Sequence, residues 1–209
     1  MFYDIIKRVI DIFASLILAI LFFPVWVIIP ILQKLDYPEG PIFYFQERLG
    51  LNGRKFFLIK FRSMKQGADD FWFNQDEKSE KARKEGWKMT LKEDTRITRL
   101  GKIIRQTSID EFPQILNILK GDMSLVGPRP IRPVEFDDAV KRYGPQIKKV
   151  IEESLSVKPG LSGPWQVSGR NDIPWNQRVY IDANYANRKS ILYDIFIILK
   201  TPFAMISKW

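Results

Sequence analysis

Residues 12–32, IFASLILAILFFPVWVIIPIL, run for 21 residues without a charged side chain. At 1.5 Å per residue, a helix of that length reaches across the hydrocarbon core of a bilayer. No small-residue cleavage site follows it. The next residues are Gln33, Lys34, Leu35 and Asp36, so it does not read as a cleavable signal peptide. Pro24 lies near its middle, with Pro30 behind it. An interior proline removes one backbone hydrogen bond and clashes with the preceding turn. A membrane helix tolerates that as a kink, and a hinge at mid-depth also lets the chain turn back and leave by the face it entered. Lys7 and Arg8 precede the segment and Lys34 follows it. Positive charge at both ends favours the cytoplasmic side for both. A kinked spanning helix, a re-entrant helix and a buried helix of a soluble domain all remain open on these grounds.

Two absences bound the chemistry. The chain has no cysteine and no histidine. Disulfides, thiol nucleophiles, serine–histidine triads and cysteine or histidine metal sites are excluded. A metal here is a hard ion such as Mg²⁺ on oxygen ligands. The net charge is +9. Lys7, Arg8 and Lys34 cancel Asp4, Asp11 and Asp36 in residues 1–36, so the whole excess lies in residues 37–209. A segment this basic expects an anionic partner: nucleic acid, a phosphorylated metabolite or acidic lipid.

Residues 41–64 read as a β-hairpin, with aromatic-rich IFYFQ and FFLIKF on either side of the turn sequence LGLNGRK. Lys60 and Arg62 lie two apart and point to one face of the second strand, as a solvated edge or as anion ligands. DEKSEKARKEGWKM suits an exposed helix of alternating charge. Phe71, Trp72 and Phe73 beside it suit a lid, a membrane contact or a minor core. Residues 107–120 carry a helical stripe of Phe112, Ile115, Leu116 and Leu119. KGDMSLVGPRP follows as a long rigid turn, residues 134–154 as another amphipathic helix, and residues 157–172 as loop. The stretch from Ser190 carries Ile191, Leu192, Ile195, Phe196, Leu199, Phe203 and Ile206. It reads as an amphipathic helix broken at Pro202, lying in a membrane interface or packed in a core.

The adjacent carboxylates Asp110 and Glu111 are the candidate chemistry. Ser108-Ile109-Asp110-Glu111 matches a capping box. With Ser108 as the cap, however, Pro113 would be the fifth helical residue and would break a needed bond. With Asp110 at or next to the cap, Pro113 falls in the first turn, where a missing N–H costs nothing. The spacing therefore predicts Asp110 at a helix N-terminus, ionised there and close to where a phosphate can bind. An ionised carboxylate is a competent nucleophile toward phosphorus if cations offset the approach of like charges. Arg105 and Arg129 flank the pair in sequence, and Pro128 and Pro130 hold Arg129 on stiff backbone.

KRVID (7–11), PIFYFQERLGLNGRKFFLIKFRSM (41–64), RQTSIDEFPQILNILKGDMSLVGPRP (105–130), VKPGLSGPWQVSGRND (157–172) and SILYDIFIILKT (190–201) occur in this order. On these motifs, which cover nearly the whole chain, the sequence resembles the bacterial sugar transferases, the monotopic phosphoglycosyl transferases. Its length is close to their minimal catalytic unit; larger relatives carry further N-terminal membrane helices.

The resemblance implies transfer of a sugar-1-phosphate from a UDP-sugar to undecaprenyl phosphate, with release of UMP and with Mg²⁺, by a covalent two-step route. It implies Asp110 as nucleophile and as metal ligand, and Glu111 as its partner. Lys60, Arg62, Arg105, Arg129, Gln166 and Arg170 are the implied phosphate and substrate contacts. Pro24 is the implied hinge of a re-entrant helix, with Lys7, Arg8 and Asp11 at the headgroup level. The expected architecture is α+β and predominantly helical. It has a re-entrant membrane helix over 1–36 with its flanks, and a catalytic domain over 37–209 with small β-hairpin elements and interfacial amphipathic helices. That domain is expected on the cytoplasmic face of the bacterial inner membrane. Membrane lipids are expected partners and nucleic acid is not; the sugar and any self-association stay open.

Two positions depart from the family's pattern. Phe23 precedes the hinge proline where serine is frequent, and Pro164 stands where an apolar residue such as leucine is usual. WQVSGRND resembles the hexose-1-phosphate branch more than the acetamido-sugar branch. A membrane-anchored binding protein without catalysis is the competing reading, in which Asp110 is dispensable. A nucleic-acid-binding protein fits the charge but not the apolar N-terminal segment.

Overall fold

The computed structural model describes residues 2–68, 94–169 and 173–206. The expected charged helix after Gln75, the aromatic triplet Phe71-Trp72-Phe73 and Arg170 lie outside the described residues. In chain order the elements are α1 (Phe2–Leu21), α2 (Phe23–Asp36), β1 (Phe43–Leu49), β2 (Lys55–Phe61), α3 (Arg99–Gln106), a 3-10 turn (Ile109–Glu111), α4 (Gln114–Lys120) and β3 (Ser124–Val126). They continue with α5 (Pro133–Tyr143), α6 (Pro145–Ser154), β4 (Gly160–Ser162), α7 (Pro164–Ser168), α8 (Trp175–Arg188) and α9 (Ile191–Ile206). Among the described residues the protein is therefore predominantly helical α+β, with two sheets of two strands each.

The elements fall into two compact units. The first holds Met1–Phe23, Phe45–Ile59 and Pro113–Trp209. Here β3 and β4 pair in parallel, with Ser124 opposite Gly160 and Val126 opposite Ser162. Parallel neighbours need a crossover, and α5 and α6 supply it. The pairing is tight because Gly160 has no side chain: a Cβ there would lie 2.1 Å from the Gly127 nitrogen. Leu58, Ile118, Met123, Leu125, Val126, Tyr185 and Ile197 form one core around this sheet, with Ala14 and Leu18 of α1 packed against it. A second core joins Leu49, Ile131, Ala139, Ile147, Ile151, Leu155 and Val179.

Polar side chains replace missing backbone partners. The fully buried Asn117 of α4 accepts from the Ile59 N–H (2.9 Å) and donates to the Phe57 carbonyl (2.7 Å), standing in for a strand along β2. Arg8 donates to the Ile118 and Leu119 carbonyls at 2.6 and 2.9 Å, at the end of α4 where the Gly121 N–H also reaches the Ile118 carbonyl. Asp11 accepts from the Ser124 hydroxyl and the Leu125 N–H, both at 3.0 Å. Lys7 reaches Asp194 of α9 at 2.7 Å, and the same carboxylate accepts from the Tyr3 and Tyr185 hydroxyls. The charges of KRVID are thus tied to protein partners.

The second unit holds Pro24–Tyr44 and Lys60–Phe112. Ile29, Phe61 and Ile104 are its core, with Trp26, Phe43, Leu100, Ile109 and Phe112 packed on them. Trp26 meets Phe61 and Phe112 at 5.9 and 5.6 Å between ring centres. Helix α3 starts under a Thr98 cap, whose hydroxyl accepts from the Gly101 N–H.

Several expected elements are corrected. The helix expected over 107–120 is a 3-10 turn and a separate α4. The helix expected over 134–154 breaks at Gly144, whose φ of 77° only glycine adopts readily. The rigid turn and the loop behind it contain β3, β4 and α7. Helix α9 continues through Pro202 rather than breaking there. Among the described residues, no single helix is long and apolar enough to cross a membrane; α1 and α2 qualify only as a pair, bent by 59° at a break at Phe22, two residues before Pro24.

Candidate functional site

The carboxylate pair sits on the 3-10 turn that follows α3. Ser108 turns the chain through a left-handed conformation (φ 57°) and its side chain caps nothing, so no capping box forms. Ile109 and Phe112 go into the second unit's core. Asp110 is carried with them and is only 8% exposed, while Glu111 stays half-open and pairs with Lys60 at 2.8 Å.

Asp110 is not a helix cap. Pro113 occupies the N-cap position of α4, one tight turn downstream, because Ile109 and Phe112 anchor the chain before the α-helix begins. The expected electrostatics reverse with it. Burial dominates and pushes the Asp110 carboxyl up to about 6; Glu111 adds to this, and Lys60 and Arg105 oppose it. Asp110 therefore changes charge near neutrality instead of staying ionised throughout.

Lys60 and Arg62 do not act as one solvated edge. Lys60 belongs to the carboxylate pair. Arg62, past the end of β2, is buried and donates to the Pro41, Gln33 and Tyr37 carbonyls at 2.6, 3.2 and 3.0 Å. Its guanidinium shapes the turn after α2, and burial lowers its basicity.

The first unit carries a second polar constellation. Arg129 lies on the loop after β3, and the Gly160 N–H donates to the Pro128 carbonyl at 2.9 Å while Arg48 donates to the Pro130 carbonyl at 2.8 Å. Both prolines flanking Arg129 are thus anchored through their carbonyls. The Arg129 guanidinium lies 5.1 Å from the centre of the Trp165 ring, and the Arg178 guanidinium lies 4.9 Å from the same ring. Asp182, one turn on from Arg178 in α8, accepts from the Arg129 N–H at 3.1 Å. Glu135 pairs with Arg132 at 2.8 Å. It is held below the usual carboxylate range by Arg48, Arg132 and Arg129, which together outweigh its burial. Gln166 sits on α7 beside Trp165, and its side-chain oxygen is buried without a hydrogen-bond partner among the described residues.

Of the residues in this constellation, sequence reasoning named Arg129 and Gln166 but not Arg48, Trp165, Arg178 and Asp182. Arg178 and Asp182 share a helix face by their spacing of four, a signal readable once residues 175–188 are taken as helix. Among the described residues, no group of three or more acidic side chains could hold a metal. The Asp110–Glu111 pair remains a fit for Mg²⁺, which takes one or two carboxylates and completes its shell with water and phosphate oxygens.

Residues 2–208 match the family model described as bacterial sugar transferase. The chain is 41% identical over 197 residues to the undecaprenyl-phosphate galactose phosphotransferase of Salmonella typhimurium, covering 94% of this chain and 39% of that protein. It is 38% identical over 197 residues to the exopolysaccharide production protein ExoY of Sinorhizobium fredii, covering 93% and 83%. It is 35% identical over 205 residues to the undecaprenyl-phosphate glucose phosphotransferase of Komagataeibacter xylinus, covering 93% and 35%. Against the two phosphotransferases the chain thus spans well under half of the relative's length. With nearly all of its residues matched, the chain belongs to the bacterial sugar transferase family.

Proposed function

We propose that the protein transfers a sugar-1-phosphate from a UDP-sugar to undecaprenyl phosphate, releasing UMP, by way of a phosphosugar carried on Asp110. The observation that carries this reading is a buried aspartate beside a Glu111–Lys60 ion pair, its carboxyl raised to about 6 by burial against the charges of Lys60 and Arg105. The names of the relatives, galactose and glucose phosphotransferases acting on undecaprenyl phosphate, support it.

Two displacements at one phosphorus make up the mechanism. An oxygen of ionised Asp110 attacks the phosphorus nearest the sugar; the bond to the UMP oxygen breaks and its electron pair leaves with UMP. An oxygen of the lipid phosphate then attacks the same phosphorus, and the Asp110–phosphorus bond breaks, restoring the carboxylate. Burial leaves Asp110 poorly solvated and so more reactive once ionised. Lys60 and Arg105 offset the negative charge that gathers in both steps. Lys60 is held by Glu111, so that carboxylate positions a cation as well as sharing the dyad. Mg²⁺, held by Asp110 and Glu111, would neutralise the diphosphate when bound. Arg129, on its anchored loop, is read as a phosphate contact, where a planar two-pronged donor fits phosphate oxygens.

The membrane is the second part of the proposal. Phe13, Ile17, Ile20 and Leu21 of α1 and Leu192, Leu199 and Phe203 of α9 are all at least 62% exposed. Large apolar side chains left this exposed along two helices support a membrane interface. With the break before Pro24, we read α1 and α2 as a re-entrant helix of the bacterial inner membrane, with catalysis on the cytoplasmic face.

Mass spectrometry of the protein incubated with a panel of UDP-sugars and no lipid acceptor tests the reading. A phosphosugar adduct is expected on a peptide containing Asp110, and none in Asp110→Asn. UMP release that occurs only with lipid present, and leaves no adduct, would replace the two-step route with direct transfer.

A further inference from the structure

Asp182 is a buried carboxylate that the mechanism above does not use. It is 5% exposed. Oδ2 accepts from the Arg129 main-chain N–H at 3.1 Å, and the Trp165 main-chain N–H also hydrogen-bonds to this carboxylate. Oδ1 is buried and has no hydrogen-bond partner among the described residues. Charged side chains are rarely left this way inside a protein, because each buried, unpaired polar atom costs stability.

The arrangement has a plain consequence for Arg129. Two loops far apart in sequence, the one after β3 and the one that starts α7, are joined through a single side chain. One delivers Arg129 and the other delivers Trp165, the ring over which the Arg129 guanidinium lies. Arg178, from the same helix as Asp182, lies over that ring as well and donates through Nε to the Ile173 carbonyl at 2.6 Å. An acceptor-only group suits this junction. A carboxylate can accept from both main-chain N–H groups and face two guanidiniums, whereas an amide would turn its NH₂ toward donors.

We propose that Asp182, in its ionised form, is a positioning residue that sets Arg129 and the Trp165 ring for binding the diphosphate of the sugar-nucleotide donor. The inference rests on reading Arg129 as a phosphate contact, and it adds a dependence that reading lacks. Burial raises the Asp182 carboxyl to about 7 against the pull of the Arg129 and Trp165 N–H groups and of the Arg129 and Arg178 charges. Tyr193 of α9 also faces it; burial raises that hydroxyl, Arg188 opposes the rise and Asp182 adds to it. Glu135 lies one step further out, beside Arg129 and Arg178. Protonation puts a hydrogen on one oxygen, weakens acceptance from the two N–H groups and removes the charge that holds the arginines. Donor binding should therefore tighten as pH rises through neutrality, separately from any effect on the rate of the covalent step.

The test measures KM and kcat for UMP release by the full chain in detergent, with the donor that gives most UMP from a panel of UDP-hexoses and UDP-acetamido-hexoses. These donors carry a diphosphate diester that does not titrate in the range. For the wild type, KM should fall several-fold between about pH 6 and about pH 8, as a single carboxyl near 7 ionises. In Asp182→Asn, KM at about pH 8 should be roughly tenfold higher and flat with pH, while kcat falls less than about threefold and keeps its own acid limb. A wild-type KM that does not change over this range overturns the proposal whether or not the variant folds. So does a folded Asp182→Asn protein with wild-type KM. Failure of the wild type to release UMP from any donor would instead sink the transferase reading itself.

Discussion

At Asp110 two demands collide: the side chain is buried, and the proposed chemistry needs it charged. Burial raises its carboxyl from an ordinary value of 3.8 to about 6. A carboxyl raised in the folded state binds its proton more tightly there than in the unfolded chain. Its burial therefore costs stability progressively as pH climbs from about 4 to about 6, and the full cost is present at neutral pH. Asp110→Asn should be more stable than wild type at pH 7 by about 1–3 kcal/mol, at 1.4 kcal/mol per pKa unit, while forming no adduct. Denaturant melts of the two proteins check this. Single-turnover UMP release should rise as Asp110 ionises around pH 6, and its neighbours should move that limb in opposite senses. Removing a cation in Lys60→Met should shift the limb upward; removing a like charge in Glu111→Gln should shift it downward, each by about half a unit to one unit. Rapid-quench pH profiles of both variants would decide it, and shifts of the same sign would contradict the assigned field.

Among the elements, legibility followed how local the information was. The β1–β2 hairpin could be read because Gly50, Asn52 and Gly53 place turn chemistry between two β-prone runs. Pro113 was enough to reject a capping box at Ser108. It was not enough to show that Pro113 itself starts α4, because the anchoring of Ile109 and Phe112 is a tertiary fact. The three-residue strands β3 and β4 have no pattern of their own; they exist because Gly160 admits a close neighbour across a long crossover. Arg62 read as a solvated edge or an anion ligand because nothing in sequence shows three carbonyls converging on it. The element most dependent on a single borrowed partner is β2. Asn117→Leu keeps the branched side-chain shape but leaves the Ile59 N–H and the Phe57 carbonyl without their Asn117 partners. It should destabilise the protein by about 2–4 kcal/mol, read from the midpoint of urea unfolding. A change below about 0.5 kcal/mol would mean that water reaches this edge of β2.

For the molecule as a whole, the sequence showed the helical majority, the apolar N-terminal segment and the basic remainder. It did not show that KRVID is spoken for by distant parts of the chain. Lys7 meets Asp194 across 187 residues, and Asp11 meets Ser124 across 113. That pairing has a consequence in time. A ribosome makes α1 well before α9, at about 5–20 residues per second. For that whole interval the first helix carries a lysine and an aspartate whose native partners do not yet exist, on a segment too apolar to stay in water. Contacts this remote in sequence are also the slowest to close. The N-terminal helix is therefore expected to wait, and the bilayer is the natural place for it to do so. Chains stalled after Lys189, which lack α9, should leave α1 open to protease where the finished chain resists. Equal protection in both would show that the first helix docks without the last.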